Sequence, residues 1–118
     1  MKENNIQNEI RLALSDHGIV FRTNSGDFWQ GQRVYSKEFK QDVLINTRKI
    51  SGLPKGFSDL LFIGEGFVAF IEVKKPGGRV GQDQANFIFR MLLQGHRAGI
   101  AESVEDALNI IKEGYERS

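Results

Sequence analysis

An apolar hairpin between Gly56 and Lys75, with the sequence GFSDLLFIGEGFVAFIEVKK, constrains the fold more than any other feature of the chain. The segment Gly64-Glu65-Gly66 is the only group of turn-forming residues between the two apolar runs, and it predicts a two-residue turn at Glu65-Gly66. Both faces of the two strands are otherwise apolar, and such strands are normally covered on both sides. We therefore expect the hairpin to belong to a sheet that other elements cover.

Three charged side chains interrupt the apolar hairpin: Asp59, Glu72 and Lys74. A two-residue turn places Asp59 directly opposite Glu72, and opposed residues project from one face with Cβ atoms about 4.5–5.5 Å apart. Lys74 lies two residues beyond Glu72 and so joins that face. A different turn length would shift the two carboxylates to a diagonal pairing.

Two adjacent ionised carboxylates repel one another, and partial burial strengthens the repulsion. A bound divalent cation is the simplest remedy, and oxygen ligands in a chain without cysteine suit Mg²⁺ or Mn²⁺ better than Zn²⁺. In the alternative, Asp59 caps the start of its strand, Glu72 pairs with Lys74 or Lys75, and no chemistry follows. The spacing alone leaves both interpretations open.

The composition is that of one soluble domain spanning residues 1–118, with 40% hydrophobic and 26% charged residues. We see no apolar run near the roughly 18 residues of a membrane span, and no export signal at the start. The lack of cysteine fits a cytoplasmic protein. The net charge of +1 combines an acidic tail from Ala101 with a mildly basic body, which permits nucleic-acid binding without arguing for it.

Hydrophobic periodicity and turn residues predict a mixed α/β domain around one sheet. Asn4 or Asn5 is expected to cap a first helix that runs to about Asp16, and residues 24–31 are expected to form a loop. The other expected elements are strands at 19–22, 33–35, 43–45 and 97–101, and helices at 82–94 and from Ser103 to about Glu113.

The segments SGLPKGFSDLLFI and FIEVKKPGGRVGQDQANF, preceded by a helix that carries Glu9, resemble the VRR-NUC (virus-type replication-repair nuclease) family of the PD-(D/E)xK superfamily. The resemblance runs from Asn8 to about Glu105, and Gln84 stands at the family's glutamine position. The sequence departs from the pattern in two places. Pro54 lies five residues before Asp59 rather than beside it, and Gly81 replaces the usual small polar residue at a helix start.

The resemblance implies a restriction-endonuclease-like mixed sheet flanked by helices, with core order α-β-β-β-α-β. It also implies a metal-dependent DNA endonuclease of the small phage or bacterial type, acting in the cytoplasm in DNA repair. Stand-alone members look like homodimeric Holliday-junction resolvases. The alternatives are a flap, end or single-strand nuclease within a repair or restriction assembly, and a non-catalytic DNA-binding module.

The resemblance and the hairpin together assign roles to individual residues. Asp59, Glu72, the Val73 backbone carbonyl and Glu9 would hold the metal, with Glu9 otherwise a solvated acid at a helix edge. Lys74 would hold the attacking water or a phosphate oxygen. Gln84 would orient Lys74 or contact DNA, or else be an exposed helix-start residue.

Basic and polar side chains near the hairpin are candidates for contacts with DNA phosphates, because backbone contacts dominate the affinity of proteins for DNA. Phe28 and Trp29 lie in the expected loop, where they would stack on bases or form a dimer interface. Packing into the core is the simpler expectation for both. The candidates for phosphate contacts are Arg22, Asn24, Lys55, Lys75 and Arg79.

Overall fold

The computed structural model of the protein describes residues 2–23 and 26–116, without the side chains of Asp27 and of residues 113–116. Within these residues the chain forms three helices and six strands. The helices are α1 (Glu3–Leu14), α2 (Gln82–Leu93) and α3 (Val104–Glu116). The strands are β1 (Ile19–Arg22), β2 (Asp27–Ser36), β3 (Gln41–Ser51), β4 (Leu60–Ile63), β5 (Val68–Val73) and β6 (Arg97–Ala101).

Four of the strands form a mixed sheet in the order β1-β4-β5-β6. The first three are antiparallel, whereas β6 runs parallel to β5 and is reached through α2. The hairpin register pairs Leu60 with Ile71 and Ile63 with Val68. Gly66 has φ +80°, a conformation that glycine adopts without strain, and the predicted two-residue turn is confirmed. The α-β-β-β-α-β core order is also confirmed, by α1, β1, β4, β5, α2 and β6.

One face of the hairpin forms the main hydrophobic core. Leu60, Phe62 and Ile71 are fully buried on this face, together with Ala69 and Val73. Helices α1 and α3 cover them with a cluster of apolar side chains: Ile6, Ile10, Leu14, Ala107 and Ile111. Full burial of each large aliphatic side chain contributes about 1.5–3 kcal/mol, so this layer fixes the sheet against the two helices.

The opposite face of the hairpin packs against α2 through three aromatic rings. The ring of Phe57 lies 4.5 Å from that of Phe87 and 5.8 Å from that of Phe70, measured between centroids. The hairpin is therefore covered on both sides, as its sequence predicts. On α2 itself Ile88 is buried, whereas Leu92 is 43% exposed.

The observed starts of α1 and α3 can be compared with the caps predicted from the sequence. Helix α1 begins at Glu3 after Lys2, which offers no side-chain cap, so the predicted cap at Asn4 or Asn5 is wrong, and both residues lie inside the helix. The start of α3 is confirmed, because Ser103 Oγ accepts a hydrogen bond from the Asp106 N–H at 3.1 Å. Among the described residues we find no helix long and apolar enough to cross a membrane.

A second sheet, formed by β2 and β3 alone, contains the two short strands expected at 33–35 and 43–45, and β2 also covers residues 27–31, where we expected a loop. We call this ribbon, residues 27–51, the arm. The pairing register of the two strands shifts between Gln30 and Gln32, and Asn46 on the opposite strand has φ +52°. This irregularity interrupts the alternation of inward and outward side chains, so hydrophobic periodicity did not predict the full length of the strands.

The arm gives the molecule an elongated shape of 62 × 28 × 27 Å. Among the described residues, β2 and β3 pack extensively only on each other. Phe28 and Trp29 remain 44% and 60% exposed as a result, so the expectation that they pack into the core is wrong.

Candidate active site

Asp59 and Glu72 meet across the hairpin, and backbone N–H groups hold both carboxylates. The Asp59 N–H donates to Glu72 Oε1 at 3.1 Å, and the Val73 N–H donates to Asp59 Oδ2 at 2.9 Å. Each carboxylate thus accepts a hydrogen bond from the strand that carries the other. The two-residue turn produces this reciprocal arrangement, because it sets the register that brings the positions together.

Glu72 is buried in an environment that disfavours its charge. Its side chain is only 1% exposed, and Oε2 is a buried oxygen without a hydrogen-bond partner among the described residues. Lys74 Nζ lies 3.8 Å from this oxygen, beyond hydrogen-bonding distance. Burial, and then the negative charge of Asp59, raise the pKa of Glu72 from 4.5 to about 8, against the opposing effect of Lys74.

The donor set fits a divalent cation. Two adjacent carboxylates supply oxygen ligands of the kind Mg²⁺ and Mn²⁺ prefer, and Glu72 Oε2 is a buried oxygen that lacks a partner. A cation there would satisfy that oxygen and remove the repulsion between the two acids. The carbonyl of Val73 lies in the same segment, and its role as a ligand stays a prediction.

The structure does not bring Glu9 to this carboxylate pair. Glu9 is exposed on α1, a helix that packs on the face of the sheet opposite Glu72. In the part of the chain that the structure describes, no group of three or more histidine or acidic side chains could together hold a metal ion. A direct or water-mediated contact of Glu9 with the metal therefore stays a prediction.

Thr23 and Ser58 fix the backbone on which Asp59 stands, and the sequence argument missed both. The Thr23 N–H donates to the Asp59 carbonyl at 3.0 Å, and Thr23 Oγ1 donates to the Ser58 carbonyl. Ser58 is fully buried, and its Oγ donates to the Leu60 carbonyl at 3.1 Å. The sequence offered one indication of these hydrogen bonds: both residues carry a hydroxyl group, Thr23 directly after β1 and Ser58 directly before Asp59.

Gly56 allows the turn before Asp59 to pack on the start of α2. It is buried with φ +92°, and a Cβ built there would lie 2.5 Å from the Asp83 carbonyl oxygen. Only glycine combines this conformation with so close an approach. The approach couples the position of Asp59 to the first turn of α2, where Gln84 lies.

Gln84 caps its own helix. Its Oε1 accepts a hydrogen bond from the Gly81 N–H at 2.8 Å, which satisfies a backbone donor at the start of α2. Because Gly81 has no side chain, Gln84 supplies the side-chain hydrogen bond at this helix start. A contact of Gln84 with Lys74 or DNA stays a prediction.

The candidates for phosphate contacts are spread over several surfaces. Lys55 is exposed and lies 3.5 Å from the Asp83 carboxylate, whereas Lys75 borders a shallow cavity at the start of α1. Arg22, at the end of β1, and Arg79 are exposed. Asn24 lies outside the described residues. The structure therefore does not gather these residues into one patch, and their contacts with DNA stay predictions.

A mixed sheet between helices, with an aspartate and a Glu-x-Lys segment facing each other across its central hairpin, is a PD-(D/E)xK-like nuclease fold. Residues 1–105 match the VRR-NUC domain. The chain belongs to the VRR-NUC family, and it is a nuclease domain with DNA as its substrate. Comparison with curated proteins gives no match.

Proposed function

We propose that the protein is a Mg²⁺- or Mn²⁺-dependent DNA endonuclease whose metal is held by Asp59 and Glu72. The buried Glu72 Oε2, which lacks a hydrogen bond and lies against a second carboxylate, is the observation that carries this proposal. A purely structural ion pair would leave this oxygen without close contact, since Lys74 Nζ is 3.8 Å away. A divalent cation accounts for both acids at once.

The chain's own residues divide the work of phosphodiester hydrolysis. Asp59 and Glu72 hold the cation, with the Val73 carbonyl and Glu9 as further proposed ligands. The bound ion supplies Lewis acidity to the phosphate and activates water near neutral pH. Lys74, whose side chain is 13% exposed, would donate hydrogen bonds to the attacking water or a phosphate oxygen and stabilise developing negative charge.

For the substrate we propose branched DNA, with four-way junctions first, because the stand-alone members that the chain resembles look like junction resolvases. A homodimer supports symmetric cleavage, since it places two sites on two strands. The second candidate is cleavage of flaps or single strands. The exposed aromatic residues of the arm favour it, because they suit unpaired bases.

Cleavage assays with labelled four-way junction, flap, duplex and single-stranded DNA test the proposal. We expect cleavage with Mg²⁺ or Mn²⁺, none with EDTA, and a loss of at least about a hundredfold in Glu72→Gln. Glu65→Gln makes the same chemical change at the exposed turn of the same hairpin and should cleave like the wild type. Cleavage that persists in EDTA would refute the metal mechanism, and preference for flaps would select the second substrate. Binding without cleavage of any DNA would indicate a non-catalytic module.

A further inference from the structure

We propose that one face of the arm binds unpaired DNA by stacking aromatic side chains on bases next to basic groups. This inference rests on the proposed nuclease function and adds to it a surface that selects the substrate. We call this surface the aromatic face. It consists of Trp29, Arg33, Tyr35, Asp42, Leu44 and Lys49.

The register of the arm places these residues on one side. Trp29, Arg33 and Tyr35 alternate along β2 and therefore project in the same direction. Their partners across the ladder lie on that side too: Lys49 opposite Trp29, Leu44 opposite Arg33, and Asp42 opposite Tyr35.

The aromatic face is open to solvent. The two rings are 60% exposed at Trp29 and 63% at Tyr35, and the side chains of Arg33 and Lys49 are exposed as well. Large rings left in water beside cations are typical of surfaces that bind single-stranded nucleic acid, where rings stack on bases and cations contact the backbone. Residues 27–51 contain five basic and three acidic residues, which favours an anionic partner.

The opposite side of the arm has a different character. There the exposed Phe28 and Ile45 give a mainly apolar surface, and the half-buried Val34, Val43 and Ile50 extend it. The Gln30 side chain accepts hydrogen bonds from Arg48 Nε and Nη2, at 3.2 and 2.9 Å, and ties the two strands together. Among the described ladder residues of the arm, the aromatic face carries two exposed rings, Trp29 and Tyr35, and two cations, against one ring, Phe28, and one cation, Arg48, on the opposite side.

The base of the arm adjoins the carboxylate pair. Thr23, which precedes the arm, bonds to the Asp59 backbone. At the base, the Gly26 N–H donates to the Leu53 carbonyl, and the Gly52 N–H donates to the Gly26 carbonyl, both at 2.8 Å. The chain thus enters and leaves the arm at the segments that support Asp59, and DNA on the aromatic face extends from this region of the nuclease.

DNA fits the aromatic face better than a second copy of the chain. Symmetric self-association through this face would remove from water two copies each of Arg33 and Lys49 against only two copies of Asp42, which leaves buried cations uncompensated and is costly. Stacking also requires bases that are not already stacked on both sides, so we expect preference for single strands and unpaired segments over blunt duplex. Asp42, at the far end of the face, should oppose a phosphate there.

The arm carries its own reporter, because Trp29 is the only tryptophan in the chain. We expect Trp29 fluorescence of the intact protein in EDTA to be quenched to saturation by a 20-nucleotide oligo(dT), and less by a blunt duplex of equal length. Tyr35→Ala should weaken oligo(dT) binding about fivefold or more, and Arg33→Gln should reduce its salt dependence. Asp42→Asn should strengthen binding, and Leu12→Ala, an equally exposed apolar truncation outside the arm, should leave it unchanged.

Two results would overturn the proposal. One is binding of oligo(dT), measured by anisotropy of a labelled strand, without any change in Trp29 fluorescence. The other is a wild-type dimer that Tyr35→Ala converts to a monomer with unchanged DNA affinity per protomer, which would make the face a self-association surface. Asp59→Asn separates this proposal from the nuclease function, since it should abolish cleavage and keep the quenching. Quenching by a wild-type protein that cleaves nothing would refute the nuclease function alone.

Discussion

At the scale of single residues, the burial of the Glu72 carboxylate is the main reason to expect a bound cation. A carboxylate that is 1% exposed loses most of its hydration, and only one of its oxygens accepts a hydrogen bond from the backbone. Leaving a buried acceptor without a partner costs about 1–3 kcal/mol. A cation bound between Asp59 and Glu72 would offset this cost.

Glu72 makes the stability of the metal-free protein depend on pH. Its pKa is raised from 4.5 to about 8 in the folded state, so the folded protein binds more protons than the unfolded chain between these values. The stability contributed by the protonated group is therefore present below about pH 4.5 and is lost as pH rises to about 8. Urea unfolding in EDTA should show wild type losing stability relative to Glu72→Gln between pH 5 and 8. Parallel pH profiles would contradict this.

Gly56 is the residue whose replacement should most disturb the support of Asp59. Gly56→Ala combines a positive φ of +92° with a Cβ 2.5 Å from the Asp83 carbonyl oxygen, and should destabilise the fold by at least about 2 kcal/mol. Gly77→Ala is the matched control, since Gly77 has φ +77° but nothing within 4 Å of the added Cβ. Equal losses in chemical denaturation would show that the close approach to α2 does not matter.

At the scale of elements, the hairpin shows what sequence patterns can predict and the arm shows where they fail. One glycine-rich breaker between two apolar runs determined the turn, and the turn determined which side chains face each other. The arm lacks that signal, because its strands have little core to face and the irregularity near Asn46 shifts their alternation. Thr23 and Ser58 were missed because hydrogen bonds from single side chains to backbone carbonyls produce no periodic pattern in the sequence.

The contact between α2 and the hairpin depends on a few rings. Phe87→Ala removes a half-buried ring that packs on both Phe57 and Phe70, and should destabilise the protein by about 1.5–3 kcal/mol. Phe89→Ala, on the same helix and 60% exposed, should change stability by less than about 0.5 kcal/mol. Thermal unfolding of both variants provides the comparison, and similar losses would mean that the ring cluster does not anchor α2.

At the scale of the whole molecule, the fold separates a nuclease body from a projecting arm. The body holds the two acids and Lys74 at the centre of its mixed sheet, and the family match over residues 1–105 extends across both body and arm. The sequence led to the family and the carboxylate pair because those depend on a local hairpin. The arm is exposed because no helix or strand among the described residues covers it, and local sequence patterns do not encode which elements pack together.

The central claim is that Asp59 and Glu72 hold a divalent cation, and calorimetric titration of the metal-free protein with Mn²⁺ tests it most directly. At pH 7 we expect saturable binding with release of on the order of one proton, because a ligating carboxylate must be ionised. Glu72→Gln should bind at least about tenfold more weakly while staying folded, and Glu65→Gln should bind like the wild type. Equal affinity of the wild type and Glu72→Gln would contradict the account.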